Sequence, residues 1–186
     1  AAYILGVLAS GHLSVAEHAS FTFGMEGVSR TLLAQITRHR LASFSVQSQR
    51  YVSQEGEEVF DFVMPPRIRA LGPKAQERFL AQMATMQAWY NEWMQDLGQD
   101  AAEDARFVLP GAAATRIVMT MNARELLHFF SLRMCNRAQW EIRELAGRMY
   151  ELVLPLAPAV FENAGPGCAR GACTEGKRSC GKADEV

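Results

Sequence analysis

The chemistry-bearing residues are densest between Gln35 and Tyr51, where Gln35, Arg38, His39, Arg40, Gln47, Ser48 and Arg50 crowd a short stretch. Guanidiniums grip phosphate with paired N–H donors, and Ser43, Ser45, Gln47, Ser48 and Gln49 add neutral hydrogen-bonding groups beside them. Such a mixture suits a phosphorylated, heteroaromatic ligand. The competing assignment is that Arg38 and Arg40 complement the negative end of the helix they follow, an effect worth about 0.3–1 kcal/mol. Because a helix C-terminus repels anions, phosphate there would be held by guanidinium forks rather than backbone amides, and lysine in their place is expected to fail.

A second cluster lies on the helix expected from Ala123 to Cys135. On a helical wheel Arg133 falls beside Leu126, Leu127, Phe130 and Met134 on the apolar stripe. A guanidinium there needs a partner, which is either an internal ion pair with a snorkelling stem or a bound ligand. Arg124, His128 and Ser131 share another face. That face is either solvated or able to hydrogen-bond a cofactor ring and tune its potential. His39 lies between arginines that disfavour its protonation, which assigns it to binding rather than proton transfer. Neither a Gly-x-Gly-x-x-Gly fingerprint nor a Walker-type phosphate loop occurs, so a cofactor would be held by the arginines.

The elements that must position these residues follow from periodicity and caps. Tyr3 to Ser10 reads as the end of a helix stopped by Gly11, and Ser14 as the cap of a short turn through Glu17 and His18. Phe21, Phe23 and Met25 alternate as in a strand, and Ser29 caps a helix carrying Leu32, Leu33 and Ile36 into the basic triplet. Leu41 to Val52 reads as an ordered loop leading to a strand over Val59 to Val63, ended by Pro65 and Pro66. From Lys74 to Leu97, Phe79, Met83, Met86, Tyr90, Trp93 and Leu97 recur at steps of four and three, giving a long amphipathic helix closed by Gly98. A short helix from Asp100 to Val108, a strand from Thr115 to Met121, the helix capped by Asn122, and one from Arg137 to about Leu154 capped by Asn136 complete the pattern. Helices and strands without regular alternation indicate an α+β domain.

Composition narrows the classes. The chain has 186 residues, 49% hydrophobic, enough for a real core, and its 19 basic and 20 acidic residues leave a net charge of -1. No global field draws it to nucleic acid or an anionic membrane. No apolar run approaches the roughly 18 residues that span a bilayer, and Ala1 to Leu8 lacks the pattern of a signal peptide, so the cytoplasm is the expected compartment. Cys135 stands alone, and Cys168, Cys173 and Cys180 are spaced unlike most structural zinc sites, so no metal is assigned. Two other classes remain. In a nucleic-acid module Arg38, Arg40 and Arg50 would grip phosphates while Phe44 and Tyr51 stack on bases, but a basic surplus is missing. In an interaction protein the Met and Trp stripe of the long helix would be the docking face, although core or subunit interface is the commoner use.

Arg38-His39-Arg40 followed by seven residues and Ser48 resembles the signature of the flavin-dependent thymidylate synthases. Gly11-His12-Leu13-Ser14 with Glu17-His18, Arg106 to Pro110, Asn122-Ala123-Arg124, and Leu132-Arg133 with Ala138 to Ile142 resemble further blocks in the family's order, up to about Phe161. The resemblance implies an α+β subunit with a central mixed or antiparallel sheet flanked by helices, assembled as a homotetramer with active sites where subunits meet. It implies a family domain over residues 1–163, shortened at its N-terminal end, and a Cys/Gly-rich tail over 164–186. By motif position, Ser14, Arg38, His39, Arg40, Asn122, Arg124 and His128 are implied FAD contacts. Gln35, Arg38, Gln47, Ser48, Arg50, Arg106 and Arg133 are the implied dUMP-binding set, with Arg50 and Arg106 as candidates for anion contacts. Arg133 is the implied catalytic residue, polarising the uracil and favouring N3 ionisation so that C5 becomes nucleophilic without a covalent cysteine. The implied reaction converts dUMP to dTMP with a carbon from 5,10-methylenetetrahydrofolate and a hydride from FADH2, regenerated by NADPH. No partner nucleic acid, membrane or metal is expected.

Overall fold

The computed structural model describes residues 2–182; residue 1 of the expected domain and residues 183–186 of the expected tail lie outside the described residues. In chain order the elements are α1 (Ala2–Ala9), a 3-10 turn (Leu13–His18), β1 (Ser20–Ser29), α2 (Arg30–Ile36), β2 (Ala42–Val46), α3 (Pro66–Arg69) and α4 (Pro73–Leu97). There follow α5 (Ala102–Ala105), a 3-10 turn (Arg106–Val108), β3 (Ala114–Asn122), α6 (Ala123–Arg133), α7 (Trp140–Val153), α8 (Pro158–Phe161) and two further 3-10 turns. This is a mixed architecture of helices with one small antiparallel sheet, ordered β1-β3-β2. Arg30 N donates to Ala113 O and Ala123 N to Ala19 O, so one index rises as the other falls along the β1–β3 pair.

Two compact units divide the chain. The first takes the residues up to Phe23, Gln35–Phe44, and those from Met119 onward. Its core is built where α6 and α7 bury Leu126, Phe129, Phe130, Ile142, Ala146 and Met149, with Met119 and Met121 from β3. Phe130 meets Phe161 edge-on at 6.0 Å between ring centres, and Phe161 meets Phe21 at 5.5 Å, a geometry aromatic pairs prefer. Burial of each such side chain contributes about 1.5–3 kcal/mol.

The second unit takes Gly24–Ala34 and Ser45–Val118. Here Phe60, Met83 and Ala113 are buried together, with Phe62, Phe79, Met86 and Leu109 packed around them. Gln87, buried on α4, accepts from Phe60 N at 2.9 Å and donates to Gln54 O at 2.8 Å, and so fixes the loop between β2 and α3. Gly98 ends α4 at φ 69°, a conformation costly for residues with a Cβ.

The helix starts obey the cap chemistry where the caps are strong. Ser29 Oγ accepts from Leu32 N at 3.0 Å, and Asn122 Oδ1 accepts from Glu125 N at 2.9 Å. Elsewhere the expectations need correction. Ser14 lies inside its 3-10 turn, which has no side-chain cap. The loop expected over 41–52 contains β2, because its half-buried residues Ala42, Phe44 and Val46 alternate with exposed Ser43 and Ser45 and the segment pairs with β3. The strand expected over 59–63 reduces to one antiparallel bridge, Phe62 to Ala113. The segment 100–108 breaks into α5 and a 3-10 turn. The last long helix starts at Trp140 rather than Arg137, because Gln139 Oε1 accepts from both Glu141 N and Ile142 N, while the Asn136 carbonyl is taken by Arg143. Trp93 and Leu97, expected on the buried stripe of α4, are 48% and 46% exposed.

Candidate active site

In the first unit α2 ends at Ile36, and a tight turn with His39 N bonded to Ile36 O carries Arg38, His39 and Arg40. β3 runs out at Asn122, whose side chain starts α6. These segments line a cleft of about 1020 Å3, to which the turn contributes Arg38, His39 and Arg40, and α6 with its cap contributes Asn122, Arg124, His128 and Arg133. A cleft of this size sits at the upper end of the range for small-molecule sites.

The buried imidazole of His39 organises the wall. Its Nδ1 is 3.0 Å from Glu125 Oε1, and its Nε2 accepts from Arg133 Nε at 3.0 Å. Phe129 packs edge-on against the ring at 4.9 Å, and His128 stands at 6.2 Å. An arginine Nε is always a donor, so His39 is neutral and carries its proton on Nδ1, which donates to Glu125. Burial holds the His39 pKa below its ordinary value, and the Arg133 charge adds to this against the pull of Glu125.

Arg133 is half-buried, and its Nη2 donates to the Gln35 carbonyl oxygen at 3.5 Å. Burial and then the neighbouring Arg38 charge lower its pKa from the ordinary value. Among the described residues no carboxylate lies within salt-bridge distance of it. The arginine of the apolar stripe is thus a guanidinium held by a neutral ring and a carbonyl rather than by a carboxylate of the described residues. Arg38 and Arg40 are exposed, while Arg124 is ion-paired with Glu17. Gln35, an expected nucleotide contact, enters the structure here through its carbonyl. Ser14 is exposed on the turn whose neighbours Leu13 and Glu17 line the cleft, and does not itself line it.

The other expected residues, Gln47, Ser48, Arg50 and Arg106, lie in the second unit. Ser48 Oγ accepts from Arg50 N at 3.2 Å, which turns the chain. Arg50 Nε is paired with Glu103 Oε2 at 2.7 Å and its guanidinium lies 5.3 Å from the Tyr51 ring centre. Gln47 lines two small hollows beside Glu26 and Arg116, and its carbonyl receives Arg30 Nη1 at 3.5 Å. Burial and then the Arg106 charge lower the Arg30 pKa from its ordinary value.

Sequence reasoning missed Glu125, Glu17, Glu103 and Arg30. Arg30 carried a signal, because a cation in the first turn opposes the helix dipole and needs another reason to be there. Glu125 carried none, since a glutamate three residues after a cap is ordinarily a capping residue. Among the described residues no group of three His, Cys, Asp or Glu could hold a metal, and the four cysteines are free.

The family described as thymidylate synthase complementing protein matches residues 1–159. A flavin-dependent thymidylate synthase from Geobacter sulfurreducens is 52% identical over 185 residues, covering 100% of this chain and 78% of that protein. One from Pyrococcus abyssi is 42% identical over 180 residues, covering 94% and 72%. The crystal structure of flavin-dependent thymidylate synthase ThyX from Helicobacter pylori, complexed with FAD and dUMP, superposes with a TM-score of 0.73 at 24% identity, covering 88% of this chain and 82% of that one. At that identity the superposition supports the fold. With its family match and its relatives taken together, the chain belongs to the flavin-dependent thymidylate synthases.

Proposed function

We propose that this flavin-dependent thymidylate synthase methylates dUMP to dTMP with 5,10-methylenetetrahydrofolate as carbon donor and NADPH as reductant, and that Arg133 is its catalytic residue. The observation that carries the proposal is the Arg133 guanidinium, half-buried in the cleft, donating to a neutral imidazole with no carboxylate of the described residues within salt-bridge distance. The donor set fits FAD: Arg38 and Arg40 present cations to a diphosphate, and Asn122, His128 and Ser131 offer hydrogen-bonding groups to a ring system. The redox chemistry that a bound FAD supplies is delivery of hydride to the transferred one-carbon unit.

The chain's own residues do the rest. Arg133 stabilises negative charge on the uracil, favouring loss of the N3 proton and raising electron density at C5. Its neighbour His39 stays neutral and positions it. The FAD set is Ser14, Arg38, His39, Arg40, Asn122, Arg124 and His128; the dUMP set is Gln35, Arg38, Gln47, Ser48, Arg50, Arg106 and Arg133. Arg30, close enough to Arg106 for their charges to interact, supports an anion near that pair.

The proposal includes a homotetramer formed by the family domain 1–163, with 164–186 as an appended tail. Half-exposed Trp89, Trp93 and Leu97 on α4 support burial of apolar surface between subunits. The free thiols support a reducing compartment, the cytoplasm, and among the described residues no helix is long and apolar enough to cross a membrane. The test is direct: purified protein shows flavin absorbance after reconstitution with FAD and forms dTMP from dUMP, methylenetetrahydrofolate and NADPH. A preparation that binds no flavin and forms no dTMP overturns the proposal.

A further inference from the structure

Two carboxylates line the cleft without an expected role: Glu17, which pairs with Arg124, and Glu125, which is buried. Glu125 occupies the third position of α6, where a glutamate ordinarily reaches back to the cap. Here the Glu125 carboxylate meets His39 Nδ1 at 3.0 Å, and the two side chains are 6% and 4% exposed. A buried carboxylate is costly unless it is bonded, so this contact strongly selects the ring's protonation pattern. With the proton on Nδ1, Nε2 is a lone pair and receives Arg133 Nε. With the proton on Nε2, two N–H groups would oppose each other and Arg133 would be released. Phe129, edge-on to the ring, limits its rotation.

We infer that Glu125 is a positioning residue for the methylation reaction: by accepting the Nδ1 proton of His39 it makes Nε2 the acceptor that aims the Arg133 guanidinium at the nucleotide. This rests on the proposed role of Arg133. The arrangement is a carboxylate, imidazole, guanidinium chain in which each member fixes the next, as outer partners of functional side chains do.

The test combines tautomer and coupling. In protein labelled with 15N-histidine, wild-type His39 is expected to show a protonated Nδ1 and an unprotonated Nε2. Glu125→Gln, whose amide oxygen still accepts, keeps that pattern and most of the turnover. Glu125→Leu loses it and, reconstituted with excess FAD, binds dUMP roughly ten- to a hundredfold more weakly, the range for loss of an outer partner. In an Arg133→Ala background the same Glu125→Leu change weakens dUMP binding less than about twofold further, because the group it acts through is gone. A purely structural Glu125 gives losses that multiply in the double variant, and that result overturns the inference. So does an Nε2-protonated His39 in wild-type protein, a measurement that stands even if Glu125→Leu does not fold. Wild-type protein that makes dTMP but shows the wrong tautomer sinks the inference alone. Wild-type protein that shows the expected tautomer yet makes no dTMP sinks the proposed function and Glu125's part in it.

Discussion

Arg133 in the first unit and Arg50 in the second are both expected at a nucleotide site, and they are held in opposite ways. Arg133 is half-buried and donates to a neutral imidazole and a backbone carbonyl. Arg50 is about half exposed, 2.7 Å from the Glu103 carboxylate. A guanidinium fixed by neutral acceptors keeps its full charge for a ligand and is preorganised. One paired with a carboxylate in solvent is screened, and it must share or exchange its partner when an anion arrives. The first arrangement serves both the bound uracil and the charge that develops on it during the reaction, and the second serves binding alone.

The largest effect is therefore expected at Arg133. Arg133→Ala should lower dTMP formation roughly a hundred- to a thousandfold, as removal of a preorganised donor does, while flavin absorbance is largely retained. Full turnover in that variant would erase the contrast. Phe129→Ala, which removes a fully buried ring from the His39 wall, should destabilise the fold by about 3–5 kcal/mol, read from denaturant unfolding; an unchanged midpoint would show that the imidazole is held without it. At the other arginine, Arg50→Lys should raise the KM for dUMP about tenfold with little change in kcat, since a point charge replaces a planar fork in uniform binding. A large fall in kcat instead would make Arg50 resemble Arg133.

Acidity separates the two sites further. The folded pKa of His39 lies below the ordinary 6.5. Folded protein then binds fewer protons there than unfolded protein, so this contribution to stability is complete above about pH 6.5 and is lost as pH falls through that value toward the folded pKa. Protonation would also set a cation against Arg133, with Glu125 and His128 the other titratable groups facing the ring. Tm and turnover should both decline below pH 6.5, and His39→Gln should flatten the His39 component of the Tm profile. The smallest effect belongs to the exposed pair: Glu103→Gln should change stability by less than about 1 kcal/mol in thermal unfolding at moderate salt.

Much of this was legible in the residues. Ser29 and Asn122 are strong caps and start helices where expected, the step-four, step-three spacing of α4 marks its length, and the alternation of β3 marks its buried face. The boundary that slipped is one with two candidates: Asn136 and Gln139 are both able to cap, and it is the Gln139 side chain that accepts from Glu141 N and Ile142 N. β2 was illegible because its apolar positions, Ala42, Phe44 and Val46, make only a short alternation inside a Ser- and Gln-rich stretch, and its pairing with β3 has no local signature. Of the site, Arg133 announced itself as a charge on an apolar stripe. Its actual partner did not, because no spacing rule connects His39 to a residue on α6. Glu125 was hidden for the same reason, its long-range contact having no local signature.

The most direct measurement is a dUMP titration of flavin-loaded protein, followed by the flavin absorbance change, in wild-type and Arg133→Ala chains at one pH above 7. Saturable binding in the wild type, weakened tenfold or more in the variant, is the predicted result. Equal dissociation constants would contradict the claim that the neutral His39 ring holds the Arg133 charge for the nucleotide.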